Sequence, residues 1–127
     1  RVAPSAFRED ISRHSTMLLQ QFELLIETHF REKRLPKDYA ELLFITPNHL
    51  NALTNHIIGK SAGALIRDRV LLEARRMLAN SDLMISQIAN ALNFEDNAYF
   101  TRFFKKYTGV TPEVFRATIL RGGHSGS

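Results

Sequence analysis

One pattern limits the folds open to this chain more than any other: the same motif occurs twice. At an offset of 49 residues Tyr39-Ala40 falls on Ile88-Ala89. At an offset of 50, Thr46 falls on Asp96, Leu50 on Phe100, Leu53 on Phe103 and Gly59 on Gly109. The change of offset puts one extra residue in the turn of the second copy. Each copy reads as a short helix with a small alanine, a tight turn, an N-capping residue, and a helix of about three turns ended by glycine: a helix-turn-helix. The alanine lets two helices cross closely. Thr or Asp at the cap accepts a backbone N–H that would otherwise lack a partner. The cap also turns the second helix's N-terminal amides outward, where phosphate can meet them.

The rest of the chain carries helical periodicity and no clean two-residue alternation, which predicts an all-α domain. Residues 1–17 read as a lead-in or interdomain linker, loose over 1–9. Asp10 or Ser12 is placed to cap a helix running to about Arg31, with Leu18, Phe22, Leu25 and Ile26 as its apolar stripe. Pro36 opens a short helix to about Leu43. Thr46-Pro47 stops the chain and restarts it as a helix that ends near Gly59. The first subdomain is thus 18–61. A linker helix over 62–79, about 27 Å long, leads to a second subdomain, 80–121. There a short helix covers about Ile85–Leu92, Asp96 caps a helix ending near Gly109, and Pro112 opens a last one to about Leu120. The Gly- and Ser-rich residues 122–127 read as a disordered tail.

The two faces of each second helix differ in kind. Phe100, Phe103, Phe104 and Tyr107 recur at i, i+3, i+4 and i+7, the spacing of a core stripe rather than a base-stacking platform. The opposite face carries Asn97, Thr101, Arg102 and Lys105, with Lys106 beside it. These are donors of the kind that read base edges and grip phosphates. In the first copy Leu50, Leu53 and Ile57 form the buried stripe, and Asn48, Asn51 and Asn55 the outer one. That helix has no Lys or Arg. Asparagine reads adenine through two hydrogen bonds, but a row of asparagines is also what a solvated face looks like. His49 lies within reach of phosphate on the same helix, and a solvated histidine fits there equally.

Charge follows the same division. The first 59 residues balance seven cations against seven acids, while the remaining residues carry ten against six and supply the whole net charge of +4. A basic second half favours a polyanionic partner, though only weakly on its own. The sequence has no cysteine, which excludes disulfides and thiolate zinc sites and fits a reducing, cytoplasmic setting. The five histidines form no i, i+4 pair, and there is no glycine-rich phosphate loop or nucleophile elbow. No metal, no cofactor and no enzymatic activity are expected. No apolar run reaches the roughly 18–20 residues a membrane span needs, so no membrane association is expected. The chain opens on Arg1 rather than Met, as a segment of a longer protein would.

Several runs together resemble the C-terminal signature of AraC/XylS-type transcription regulators. They are Ile88-Ala89, Asn93-Phe94, Tyr99 through Lys106, Thr108 through Pro112, and Phe115-Arg116. The likeness covers about residues 18–120 and is most specific from Phe94 to Arg116. It implies two helix-turn-helix subdomains, homeodomain-like three-helix units, joined by the long linker helix. It also implies double-stranded DNA as the partner, with both reading helices in successive major-groove segments about 34 Å apart. Carried onto this sequence, it makes Asn97, Thr101 and Arg102 base-reading, with Lys105 near phosphate; Lys106 beside it is a further cation for phosphate by its charge alone. In the first copy Asn48, Asn51 and Ala52 match base-reading positions, Ala52 offering only a methyl contact. The sequence departs from the family pattern at Asn93 for a common glycine and at Ala98 for a small hydroxyl residue. It also departs at Val70 for an arginine, and at Leu35 and Met84 for Ser or Thr caps. Members usually carry a separate effector or dimerisation domain, which would here lie outside the chain, a stand-alone monomeric regulator of this size being the alternative, and activators among them touch RNA polymerase. The rival reading is a helical protein-interaction module without DNA contact, for which the uncharged first reading helix is the best argument.

Overall fold

The computed structural model describes residues 4–125, with side chains described from 12 to 122. The described residues form seven helices and no strand. These are α1 (Pro4–His29), α2 (Pro36–Leu42), α3 (Pro47–Ile57), α4 (Ala62–Asn80), α5 (Ile85–Ala91), α6 (Asn97–Thr108) and α7 (Pro112–Ser125). They divide into two compact units, one up to Arg69 and one from Val70, with the boundary inside α4.

In the first unit α1 lays Leu18, Leu19, Phe22 and Ile26 against α2 and α3, whose Tyr39, Ala40, Leu50 and Leu53 are also buried, as is Phe30 just past the end of α1. Phe22 meets Tyr39 edge to face at 5.5 Å between ring centroids. The Tyr39 hydroxyl donates to the Lys33 carbonyl at 2.8 Å. Burial, reinforced by the charge of Asp38, pushes the Tyr39 hydroxyl's pKa up to about 12. Arg69 grips Glu27 through two nitrogens, at 2.6 and 3.3 Å, with its guanidinium 4.2 Å from the centre of the Phe30 ring.

The second unit is held by aromatic rings. Phe94 lies 5.1 Å from both Phe100 and Phe103, Phe100 lies 6.0 Å from Phe104, and Phe104 lies 5.5 Å from Phe115 on α7. Arg116, also on α7, closes this unit at the end of α4. Its guanidinium donates to the carbonyls of Leu78 (2.9 Å) and Leu83 (2.6 Å), with longer bonds to Ser81 (3.3 Å) and Met77 (3.5 Å). A helix C-terminus leaves its last carbonyls without intrahelical donors, and a guanidinium satisfies several at once. Within α4, Arg76 pairs with the buried Glu73, and that hydrogen bond holds the Arg76 pKa above its ordinary value.

The two copies of the motif agree bond for bond. In the first turn the Ile45 amide donates to the Ala40 carbonyl at 3.0 Å; in the second Phe94 donates to Ala89 at 2.9 Å. The left-handed residue of each turn is Phe44 (φ 59°) and Asn93 (φ 61°). Thr46 Oγ1 accepts the His49 amide at 3.0 Å, and Asp96 Oδ1 accepts the Tyr99 amide at 2.8 Å. Gly59 and Gly109 leave their helices in the left-handed region, which an L side chain disfavours. The unusual caps Leu35 and Met84 have no oxygen to offer. Their own amides are instead accepted by Asp38 (3.3 Å) and Gln87 (2.8 Å), the returning half of a capping box.

Three sequence expectations are corrected. The first helix begins at Pro4, so residues 4–9 are helical rather than loose, and Asp10 and Ser12 lie inside the helix instead of capping it. Proline suits a first helical position because its missing N–H has no intrahelical partner there. The last helix runs through Ser125, past Gly122 and Gly123. Each glycine costs a helix about 1 kcal/mol relative to alanine but breaks no hydrogen bond. The parts of the lead-in and tail at 1–3 and 126–127 lie outside the described residues. Finally, Ile57 and Tyr107 do not belong to the buried stripes; they are 40% and 39% exposed, because the last turn of each helix projects past its core.

Candidate nucleic-acid interface

Helix α6 has one buried side and one charged side. Phe100 and Phe104 are fully buried, with Phe103 at the margin, half-buried. The opposite side holds Asn97, Arg102, Lys105 and Lys106 exposed to solvent, with Thr101 half-buried among them. The aromatic stripe therefore packs inward and the predicted donors face outward. No acid interrupts the helix from Asn97 to Thr108. Lys105 and Lys106 stand in its last turn, where cations complement the helix dipole. The Lys106 ammonium lies 5.2 Å from the centre of the Tyr107 ring. Tyr99 flanks the same face, 46% exposed, with its ring edge against Phe94 at 5.7 Å. Tyr99 was not among the predicted site residues. Its match to His49 at the offset of 50 is the signal that picks it out.

Helix α3 has the same division with different chemistry. Leu50, Leu53 and Thr54 are buried, and Asn48, His49, Asn51, Ala52 and Asn55 are exposed. Two of its three asparagines are engaged inside the protein. Asn55 Nδ2 donates back to the Asn51 carbonyl at 3.0 Å. Asn51 Oδ1 accepts the amide of Ala62, the first residue of α4, at 3.1 Å. The sequence places Asn51 at a base-reading position, and in the structure its amide oxygen meets the first turn of α4. Among the described residues Asn48 keeps its amide clear of such a bond.

Each unit offers one outward helix face carrying hydrogen-bonding side chains. Among the described residues no group of three or more His, Asp or Glu is placed to hold a metal ion. No helix there is long and apolar enough to cross a membrane.

Residues 39–118 match the model of a family described as Helix-turn-helix domain. The chain is similar to YobQ, an HTH-type transcriptional regulator of Bacillus subtilis (strain 168), with 33% identity over 94 residues, 74% of this chain and 39% of that protein. It resembles the solved C-terminal domain of AraT, a response regulator from Geobacillus stearothermophilus, with a TM-score of 0.73 and 27% identity, covering 80% of this chain and 84% of that one. It shares the fold of the DNA-binding domain of AdpA, a global transcriptional factor solved with a target DNA, with a TM-score of 0.72 at 18% identity, covering 86% of this chain and 97% of that one. The chain spans between 29% and 39% of the length of three curated relatives it matches.

Proposed function

The chain belongs to the AraC/XylS-type helix-turn-helix family, and from that premise we propose that it binds double-stranded DNA in a sequence-specific way as part of a transcription regulator. The reading helices are α3 and α6, each in a major-groove segment. The observation that carries this reading is the polar face of α6: Asn97, Arg102, Lys105 and Lys106 exposed, with Thr101 half-buried among them, while Phe100 and Phe104 are buried. A guanidinium forks onto guanine O6 and N7, an asparagine amide onto adenine, and a hydroxyl takes either role. The lysines neutralise phosphate and release counterions, so affinity falls steeply with salt. In the first unit Asn48 and Ala52 take the base-reading places and His49 a phosphate. The solved complex of the AdpA domain with its target DNA supports the same use of this fold.

The work of such a regulator belongs to the bacterial cytoplasm, where chromosomal DNA lies. RNA polymerase is its second partner. Three relatives are long enough to carry a further domain, for effector binding or dimerisation, beside the matched segment. Selection of bound duplexes from a random pool at two salt concentrations tests the proposal. It expects an enriched motif with one or two half-sites and weaker binding at higher salt. An unenriched pool, with no salt-linked binding, refutes it in favour of a protein-interaction module.

A further inference from the structure

The repeat continues beyond the two glycines, and the continuation separates two residues that occupy the same place on the reading helices. At the offset of 50, Ser61 matches Thr111, Ala62 matches Pro112, Ala64 matches Val114 and Leu65 matches Phe115. The first turns of α4 and α7 are capped alike. Ser61 Oγ accepts the Ala64 amide at 3.1 Å, and Thr111 Oγ1 accepts the Val114 amide at 3.2 Å. The Ser61 carbonyl accepts from Leu65 at 3.2 Å, and the Thr111 carbonyl accepts from Phe115 at 2.9 Å.

One position breaks the match. Ala62 has a backbone N–H, and its residue is fully buried. Water cannot serve it, and a buried amide without a partner is costly. Pro112 has no N–H to satisfy. On the reading helices the residues matched at the same offset are Asn51 and Thr101. Asn51 supplies an oxygen to Ala62 at 3.1 Å; in the second unit Pro112 has no N–H that would call for such an oxygen from Thr101. The same first turn of α4 lies close to α2: a Cβ added at Gly63 would stand 3.7 Å from Pro36 Cγ. Asn51 thus ties α3 to α4 at a point where α4 is already against α2.

We propose that Asn51 is a positioning residue that latches reading helix α3 to the first turn of α4, and that base discrimination in the first unit rests on Asn48 and Ala52, while in the second unit the matching residue, Thr101, is free to read a base. This rests on the DNA-binding reading above. Two-bond recognition of adenine needs the asparagine oxygen to accept from N6 while the amide nitrogen donates to N7. An Asn51 side chain whose oxygen is aimed at Ala62 cannot present that pair.

Three variants of the whole chain test it with two readouts: hydrogen exchange of the Ala62 amide in the free protein, and base preference at the first half-site. Asn51→Asp keeps an oxygen for Ala62 and removes the amide donor. Its negative charge weakens all duplexes alike, which a preference ratio cancels. Asn51→Asp is expected to hold Ala62 exchange and the parent's preference. Asn51→Ala is expected to speed Ala62 exchange about five- to tenfold, the worth of a lost cap. It should also cut preference at the first half-site by about tenfold, the worth of one good base contact. Asn48→Ala should cut that preference equally with Ala62 exchange unchanged.

A cytosine preference appearing in Asn51→Asp would mean that residue 51 touches bases and would overturn the proposal. So would a loss of preference in that variant with Ala62 still protected, or parent-like exchange in Asn51→Ala. If the parent itself discriminates among no duplexes, the DNA-reading function fails, and Ala62 exchange still decides whether the latch exists.

Discussion

Phe44 makes two unfavourable choices at once. Its backbone is left-handed, with φ 59°, and its side chain is 94% exposed. The left-handed conformation costs a residue with a Cβ about 1–2 kcal/mol, and an exposed ring returns almost no burial. Phe44→Gly removes the steric cost but adds flexibility to the unfolded chain worth about 0.5–1 kcal/mol. The net expectation is a gain of about 0.5–1 kcal/mol, against the loss of about 3–5 kcal/mol that truncating a core phenylalanine brings. Phe44→Ala is the control: it deletes the ring and keeps the strain, so its stability should stay within about 0.5 kcal/mol of the parent, as for surface substitutions generally. Urea unfolding of the three proteins, with equal slopes, gives the differences directly. A Phe44→Gly protein less stable than the parent by 1 kcal/mol or more would refute the reasoning and show that the ring contributes to folding.

Other expectations follow from single contacts. Raising pH should destabilise the protein between about 10 and 12, because the Tyr39 hydroxyl must stay protonated to fold, with its ordinary pKa of 10.0 raised to about 12 by burial. The stabilising contribution is complete below 10 and disappears as pH passes 12. Tyr39→Phe should flatten that part of a stability–pH curve relative to the parent. Arg116→Met should cost about 1.5–3 kcal/mol, the range for hydrogen bonds to a charged group, and Arg116→Lys should recover only part of it because a point charge cannot fork over several carbonyls. Thermal melts of the two variants would check this; equal melting temperatures would contradict the clamp. Arg102→Ala should relax preference at one or two positions of the second half-site. Lys106→Ala should weaken every duplex alike and lower the salt slope by about one. Fluorescence titrations at several salt concentrations separate the two patterns.

The caps and turns were legible in the sequence because each depends on one or two neighbouring residues. Thr46 and Asp96 announce helix starts, and Gly59 and Gly109 announce helix ends. Asn93 reads as a left-handed residue from its type. Phe44 does not, because nothing about phenylalanine signals φ 59°; only the alignment of one turn on the other reveals it. The polar face of α6 was readable from spacing, since Phe100 and Phe104 define the buried side. The bond from the Ala62 amide to Asn51 was not legible, because it is set by how α3 meets α4, and helical periodicity carries no information about that meeting. The extent of α1 and α7 was underestimated for a related reason. Glycine and proline weigh on helix formation by amounts small enough for the surrounding turns to override.

The clamp formed by Arg116 has a consequence for synthesis. The first unit ends at Arg69, which pairs with Glu27, so all of its residues are available once residue 69 has left the ribosome. The second waits for residue 116, because the exposed end of α4 and the carbonyls that follow are covered only from α7. A nascent chain halted between those points holds one finished half and one half whose backbone is still hydrated, and domains fold as units in the order they emerge. Truncations that stop short of residue 116 should therefore leave the amino-terminal half intact while the carboxyl-terminal half stays open to proteases.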